Sequence, residues 1–250
     1  MTPLISKFLT LMLMFWPQYV AVPFTHTSSA PITLVQKTAG AYGASSTYFA
    51  AAFTNNTLGN LAVVAVHWCS SGAPTTITSV TDTSTNSYTI SAASLATVSA
   101  THYADCYTQF AYVARLNSFS GTNTVTASFP GGSNVNGSIS LYEMTPGVVD
   151  QTNTGTNANT NVPTPGSITT TINGSFYIAA GVLDNGFGFG SGWFTAGSPF
   201  TLNGEVGGGN LNVADEYYPQ TTAGAQAATF GTNYSGSTGP NAGSVITFHP

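Results

Sequence analysis

Several segments of the chain alternate apolar and polar residues, and no long stretch carries the period of a helix. The least polar internal segment, LAVVAVHWC over 61–69, is apolar on both faces, which is typical of a central strand covered on both sides. The following segment, TITSVTD over 76–82, places Ile77 and Val80 among threonines, as a strand with one solvent-exposed face would. The turn residues of DTSTNS over 82–87 predict a hairpin between TSVTD and NSYTI.

Further segments are rich in β-branched and aromatic residues and are separated by Gly, Asn, Pro or Ser, as strands are separated by turns. They cover 32–36, 47–53, 107–116, 123–129, 137–144, 166–172, 175–183, 210–218 and 243–249. Strands at this short spacing, with no helices between them, predict an all-β fold built as an antiparallel β-sandwich.

One polar stretch, QTNTGTNANTNVPTPG over 151–166, has no apolar period and is expected to be a long surface loop inside a single domain over 31–250. The alternative is a linker between two domains. A single domain is favoured because the strands after this stretch have no complete core of their own.

Charged residues make up only 4% of the chain, against roughly 25% in a typical soluble domain. Solubility must therefore rest on Ser, Thr, Asn, Gln and Gly. Beyond Lys7 the only fixed cations are Lys37 and Arg115, too few for the phosphate contacts of a nucleic-acid binder or for an anionic membrane surface. Neither partner is expected.

The first residues have the features of a secretory signal. Lys7 precedes the apolar run FLTLMLMFW over 8–16, which Pro17 ends and which is too short to span a bilayer of about 30 Å. We expect a signal peptide within 1–30, cleaved between 21 and 30, and hence a secreted or cell-surface protein without stable membrane insertion. The alternative is an apolar strand that stays in the fold.

Two cysteines, Cys69 and Cys106, remain in a chain that is expected to be exported, so a disulfide is the default. Cys69 ends the buried strand and Cys106 precedes the next one, so the bridge would join two strand ends. Two buried free thiols are the alternative.

Several segments follow one another in the order of a known pattern: NLAVVAVHW, TSVTDTSTNSYT, FAYVARLNSFSGTNTVTASF, SLYEMTP, GSITTTINGSFYIAAG and GSVITFHP. In this order they resemble a group of uncharacterised secreted bacterial domains, over about 32–250. The chain departs from the pattern at Ser84-Thr85-Asn86, where Gly-Asn is usual, and at Met144-Thr145. The resemblance implies a jelly-roll-like sandwich and no established activity.

Signatures of nucleophilic or metal chemistry are weak. No G-x-S-x-G elbow and no zinc spacing occurs, so no metal or cofactor is expected. His67 lies in the buried strand and is expected to be a hydrogen-bonded core residue. His102 could approach Asp105, but a lone His–Asp pair makes no triad. DTSTNS has alternating oxygens like a calcium loop but lacks its glycine and distal glutamate, which favours a turn.

Two of the eight carboxylates, Glu143 and Glu216, lie on predicted strands. On one concave sheet face they could stand at the separation of a glycosidase pair, which makes a carboxylate-dependent hydrolase the third functional hypothesis. A structural hydrogen bond at a strand end accounts equally well for Glu143.

Aromatic residues in or near glycine-rich stretches are candidates for sugar stacking, and they are Phe187, Phe189, Trp193, Tyr217 and Tyr218. If they are exposed, the protein is a carbohydrate-binding module. If they cap the edges of the sandwich, they are structural.

Scarce charge also bears on self-association, because cations normally protect sheet edges from pairing with other chains. Either sugars on the sequons or β-bulges protect the edges, or a neighbouring copy fills one. The sequons are at Asn55, Asn136, Asn173 and Asn233. We expect a non-catalytic extracellular protein that acts by contact, as a structural subunit or adhesive module, and that forms homo-oligomers by donating ITLVQ over 32–36 to a neighbour. A surface glycan is the alternative partner.

Overall fold

The computed structural model describes residues 30–72, 76–130, 134–186, 192–233 and 238–250. It confirms an all-β fold with antiparallel sheets; the helical structure in these ranges is one 3-10 turn at Ala92–Ser94. The strands are β1 (Leu34–Ala39), β2 (Gly43–Ser46), β3 (Tyr48–Asn56), β4 (Leu61–Ser70), β5 (Ser79–Asp82), β6 (Thr89–Ile90), β7 (Ala96–Ser99), β8 (Asp105–Val113), β9 (Phe119–Ser128), β10 (Val135–Met144), β11 (Val148–Thr160), β12 (Gly166–Thr169), β13 (Phe176–Asp184), β14 (Phe194–Thr195), β15 (Thr201–Gly208), β16 (Leu211–Pro219), β17 (Ala225–Ala228), β18 (Gly231–Thr232) and β19 (Gly239–His249).

Three sheets are stacked on one another. The central sheet has the order β1-β10-β4-β8-β6, with β2 also paired to β10 and β7 to β8. The front sheet has the order β3-β9-β5, and the back sheet the order β11-β19-β13-β16-β15. Two short pairs, β12 with β17 and β14 with β18, cover the far face of the back sheet and are called the outer pairs.

The central strand β4 contributes side chains to two cores. Val64 and Trp68 face the front sheet and pack with Phe53 of β3. Val63, one position along, faces the back sheet and packs with Phe176 of β13. Every residue of β4 is buried, which confirms the prediction that this run is covered on both faces.

The chain from 30 to 144 forms the central and front sheets, and the chain from 148 to 250 forms the back sheet and the outer pairs. The two parts share the core between the central and back sheets, where Phe110 and Tyr142 pack with Ile178 and Phe248. The strands after residue 150 therefore complete their core with residues from the first part.

The predicted hairpin at 82–87 is wrong. The strand before it, β5, pairs with β9 in the front sheet, whereas β6 pairs with β8 in the central sheet. The turn residues do reverse the chain, since Thr85 N–H donates to the carbonyl of Asp82 and Thr85 has a positive φ of 59°. The reversal carries the chain from one sheet to the next.

The predicted polar loop over 151–166 is also wrong for most of its length. Residues up to Thr160 belong to β11, which has 13 residues and pairs with β19. No residue of this strand is buried, so neither of its faces carries the apolar alternation on which the prediction relied. Thr, which is common here, has high strand propensity. The remaining residues lead into β12.

The N-terminal strand packs and pairs with elements of its own chain. Ile32 is buried in the core between the central and back sheets, and β1 pairs with β10. The predicted signal peptide lies outside the described residues. In the described ranges, no helix is long and apolar enough to cross a membrane.

Candidate functional site

The carboxylates are the first place to look for chemistry, and all eight lie in described residues. Asp150 has a buried Oδ2 atom with no hydrogen-bond partner. The other carboxylates accept hydrogen bonds from groups of the same chain, and they are Asp82, Asp105, Glu143, Asp184, Glu205, Asp215 and Glu216.

Glu143 on β10 is fully buried and is surrounded by donors. Its Oε1 accepts from the Thr57 backbone N–H at 2.8 Å and from Asn60 Nδ2 at 2.7 Å. Its Oε2 accepts from Gln36 Nε2 at 2.5 Å and from Asn56 Nδ2 at 3.3 Å. These groups belong to β1, the end of β3 and the turn before β4. The carboxylate fixes these elements, so the structural alternative predicted for Glu143 is the one observed.

A second polar group surrounds Asp82. Its Oδ2 accepts from Ser84 Oγ, Asn86 Nδ2, Tyr88 OH and Asn123 Nδ2, at 2.6–3.1 Å. Partial burial acts to raise the pKa of Asp82, but the hydrogen bonds from Asn86, Asn123 and Ser84 outweigh it and hold the pKa below its ordinary value. The DTSTNS oxygens are thus engaged in a turn.

The two groups are joined. Asn123 Nδ2 also donates to Asn56 Oδ1 at 2.7 Å, and Asn56 donates to Glu143. Six polar residues therefore belong to one network between the front and central sheets, and they are Asn60, Asp82, Asn86, Tyr88, Asn123 and Glu143. Their common role in this chain is to hold loops and strand ends together.

Glu216 lies on the other side of the molecule. It points from the back sheet toward the outer pairs, where its Oε2 accepts from the Gly197 N–H at 2.9 Å and its buried Oε1 has no hydrogen-bond partner. Burial raises the pKa of Glu216 to about 8. Because the central and back sheets lie between Glu143 and Glu216, the structure does not bring the predicted carboxylate pair together.

Asp215 points to the opposite face of the back sheet and was not singled out by the sequence. It is 1% exposed and accepts from Ser140 Oγ at 2.5 Å, from Tyr142 OH and from Asn203 Nδ2 at 2.8 Å. Burial raises the pKa of Asp215 to about 6, although these hydrogen bonds and nearby Lys37 act to lower it. The alternation of Leu211, Val213, Asp215 and Tyr217 on one face of β16 was the available signal.

The histidines are placed differently from one another. His67 is buried and its Nδ1 has no hydrogen-bond partner, so the predicted hydrogen bond is missing at that atom; burial lowers its pKa to about 3. His102 does not pair with Asp105. Its Nδ1 lies 2.8 Å from Oδ1 of buried Asp184, which also accepts the backbone N–H groups of Thr101 and His102 at 2.7 Å. Asp184 thus fixes this loop.

The aromatic candidates do not form one exposed face among the described residues. Trp193 is 1% exposed and packs with Phe230 under the outer pairs, as the capping alternative predicts. Tyr217 points toward the central sheet and stacks on Phe176, with ring centroids 5.8 Å apart. Tyr218 points away from the central sheet, and its ring centroid lies 5.6 Å from that of Phe200. Phe187 and Phe189 lie outside the described residues.

The predicted disulfide is present. Cys69 on β4 and Cys106 on β8 are direct cross-strand partners, with Cα atoms 4.0 Å apart, and both are fully buried. The bridge joins the end of one central strand to the start of the next, as expected.

The sequons differ in exposure. Asn55, Asn173 and Asn233 are exposed, whereas Asn136 is half-buried within β10 of the central sheet. Asn55 Oδ1 accepts the Gly121 N–H at 2.7 Å, and Asn173 Oδ1 accepts the Ala223 N–H at 2.8 Å. These two side chains therefore join segments that are distant in sequence.

Surface depressions in the described parts offer little chemistry. One of about 480 Å³ lies beside Asn55, Asn56 and Phe119, and one of about 470 Å³ lies beside Pro31, Pro146 and Pro250 at the end of the stack. Neither is lined by a carboxylate, an imidazole or a thiol.

The most exposed regular element is β11. Its pairing with β19 is regular from Thr152 to Asn157 and irregular on either side. Within the described residues, no strand pairs with its outer edge. The Thr154 N–H donates to Oδ1 of the preceding residue, Asn153, at 2.8 Å. Asn side chains often make such local bonds to nearby backbone.

Comparison with known proteins adds no relative: no protein-family model, no curated protein and no solved structure matches the chain.

Proposed function

We propose that this chain is a secreted, non-catalytic protein that acts by contact, as a structural subunit of an extracellular or cell-surface assembly or as an adhesive module. The open edge of β11 is the observation that carries this proposal. The hydrogen bonds made by the buried carboxylates support it, because those groups already serve the fold. The buried disulfide is compatible with an oxidising compartment.

The edge of β11 lacks the usual protection against strand pairing. Its 13 residues extend for about 44 Å and include one charged side chain, Asp150, and no Lys or Pro. The opposite edge of the back sheet, β15, is blunted by a register irregularity between Leu202 and Gly204 and by the charge of Glu205. The regular run of β11, from Thr152 to Asn157, has neither feature.

The partner that fits this edge is a second copy of the same strand. Antiparallel pairing of the run with itself, about a two-fold axis at Thr154, places Thr152 opposite Thr156, Asn153 opposite Gly155 and Thr154 opposite its own copy. Asp150 lies outside this run, so no like charges meet. A strand paired with its own copy gives a closed two-fold dimer, which is the building block proposed for the assembly.

Light scattering coupled to size exclusion, over a range of concentrations, tests this proposal. The intact mature protein should form dimers, and Thr156→Lys should be monomeric because it places a cation in each copy of the paired edge. Thr122→Lys is the matched control, since Thr122 is exposed on β9 of the front sheet and the same charge there should leave the dimer intact. A wild-type protein that stays monomeric at the highest concentration would refute the proposal.

A further inference from the structure

The only lysine in the described residues, Lys37 on β1, is held in an unusual place. Its Nζ lies 3.4 Å from the backbone carbonyl oxygen of Asn203 and 5.3 Å from the ring centroid of Tyr217. Within the described ranges one ion pair is present, between His102 and Asp184, and no carboxylate oxygen lies within 4.0 Å of the Lys37 ammonium group. A half-buried amine therefore lies against the backbone of Asn203.

Asn203 is brought to this amine by two local features of β15. It is the residue at the register irregularity between Leu202 and Gly204, and such bulges redirect a side chain. At Gly204, a Cβ atom would lie 2.3 Å from Cβ of Ala39 on β1, so glycine permits the close approach of the two strands. The side-chain amide of Asn203 turns inward and donates to Asp215 Oδ2 at 2.8 Å.

Asp215 completes the group with an acid that can take up and return a proton. It is buried beneath the amide of Asn203, and Ser140 and Tyr142 of β10 hold its carboxyl group in place. Burial raises its pKa to about 6, so both protonation states are accessible near neutral pH. Tyr142, Tyr217 and Phe176 pack as aromatic neighbours around the group and limit water access.

We propose that Lys37 and Asn203 become joined by an intramolecular isopeptide bond between Nζ and Cγ, with Asp215 as the group that transfers protons. The proposal does not depend on the proposed function, because it concerns one chain only.

The chemistry balances without any added reagent. Rotation of the Lys37 side chain away from the Asn203 carbonyl brings the ammonium to the Asp215 carboxylate, to which it gives one proton, and the free amine then attacks Cγ of Asn203 to form the new C–N bond. Asp215 supplies its proton to the departing nitrogen, and the original carboxamide C–N bond breaks. The second amine proton of Lys37 also leaves, so the products are a secondary amide and one ammonia, which departs as ammonium with the remaining proton. No atom is oxidised or reduced. The fold holds the Lys37 amine against the Asn203 backbone and fixes the Asn203 amide on Asp215, which provides the effective concentration.

Such a bond would tie the first strand of the central sheet to the edge strand of the back sheet. The disulfide joins two strands within the central sheet, so the two links would act on different parts of the stack. Because the bond is covalent and internal, it would persist when the protein is reduced.

Peptide mass spectrometry tests the bond. The full-length secreted protein is unfolded, reduced and digested with chymotrypsin, so the result does not depend on where its N-terminus lies. The expected product is one cross-linked pair of peptides that contain Lys37 and Asn203, lighter than their sum by one ammonia, about 17 Da. Lys37→Arg and Asn203→Ala should show only linear peptides. Asp215→Asn should lose most of the cross-link. Asn173→Ala, at an exposed asparagine, is the control that should keep it.

Folding of each variant is checked by an intact disulfide and a β-rich circular dichroism spectrum. A folded wild-type protein that yields only the two linear peptides would overturn the proposal. Loss of water, about 18 Da, would do so as well, because it would mean attack on a carboxyl group instead of the Asn203 amide. A folded Asp215→Asn variant that is cross-linked as fully as the wild type would overturn the role of Asp215.

Discussion

Replacing Glu216 by glutamine should stabilise the protein in mild alkali and leave its stability in acid nearly unchanged. The carboxyl group is buried, and burial raises its pKa from 4.5 to about 8 although backbone N–H groups of Gly197 and Thr229 act to lower it. A shift of this size corresponds to roughly 5 kcal/mol between the protonated and charged forms. Glutamine has the same shape and cannot ionise.

The direction follows from proton binding. Because the pKa of Glu216 is raised in the folded state, the native protein binds the proton more tightly than the unfolded chain does. Its contribution is fully present below about pH 4.5 and is lost as the pH rises through about 8. Between pH 6.5 and 8.5 the wild type should therefore lose on the order of 2 kcal/mol, and Glu216→Gln should not.

Two other buried groups determine how the stability of the wild type changes at lower pH. Asp215, with its pKa raised to about 6, adds stability as the pH falls from about 6 toward 4. Buried His67 acts in the opposite sense: its pKa is lowered to about 3, so its contribution is present above 6.5 and is lost as the pH falls toward 3. We expect the wild type to be most stable near pH 4–6.

Guanidinium chloride unfolding, followed by tryptophan fluorescence at pH 5, 6.5 and 8.5, measures these changes. Trp68 is buried between the central and front sheets and Trp193 is buried under the outer pairs, so their emission reports unfolding of both parts of the molecule. Thr122→Ala on the exposed face of β9 is the control that should retain the wild-type pH dependence. A wild-type protein at least as stable at pH 8.5 as at pH 6.5, or a Glu216→Gln variant with the wild-type slope, would refute the reasoning.

Further predictions concern the groups that hold the sheets together. Glu143→Gln should lower the free energy of unfolding by roughly 2–4 kcal/mol, because an amide cannot accept from all four donors around that site. Denaturant unfolding measures this loss, and an unchanged midpoint would contradict the role assigned to the carboxylate. Replacing Cys69 and Cys106 together by alanine should lower the free energy of unfolding by roughly 3–4 kcal/mol. The wild type, unfolded without reductant, should show no alkylatable thiol, and two free thiols would mean that the bridge is absent. Trp193→Ala should cost roughly 3–5 kcal/mol in thermal or denaturant unfolding, as expected for a buried aromatic residue, and a variant as stable as the wild type would place this ring at the surface.

Much of the fold was predictable from the sequence because its buried strands carry a local signal. Strands β4, β8, β10, β13 and β19 lie where β-branched and aromatic runs predict them, and the Cys69–Cys106 bridge follows from their position at strand ends. The signal fails at β11, which has no buried residue and therefore no apolar face. It also fails at 82–87, because local turn residues do not determine which sheet the next strand joins.

The candidate sites were harder to predict because their partners are distant in sequence. Glu143 receives donors from residues 83 to 107 positions away, and only the strand order brings them together. Lys37 and Asn203 meet across 166 positions, through a bulge and a close glycine contact that no local pattern specifies. Trp193 lies in a glycine-rich stretch that resembles a surface loop, yet the outer pairs bury it.

The central claim is that the protein acts by contact through the open edge of β11. Hydrogen–deuterium exchange of the mature protein at dilute and at high concentration tests it most directly, since pairing with a second copy would bury the outward amides of 152–157. The account predicts slower exchange in this segment at high concentration and unchanged exchange in β9 of the front sheet. Equal exchange of the 152–157 amides at both concentrations would contradict it.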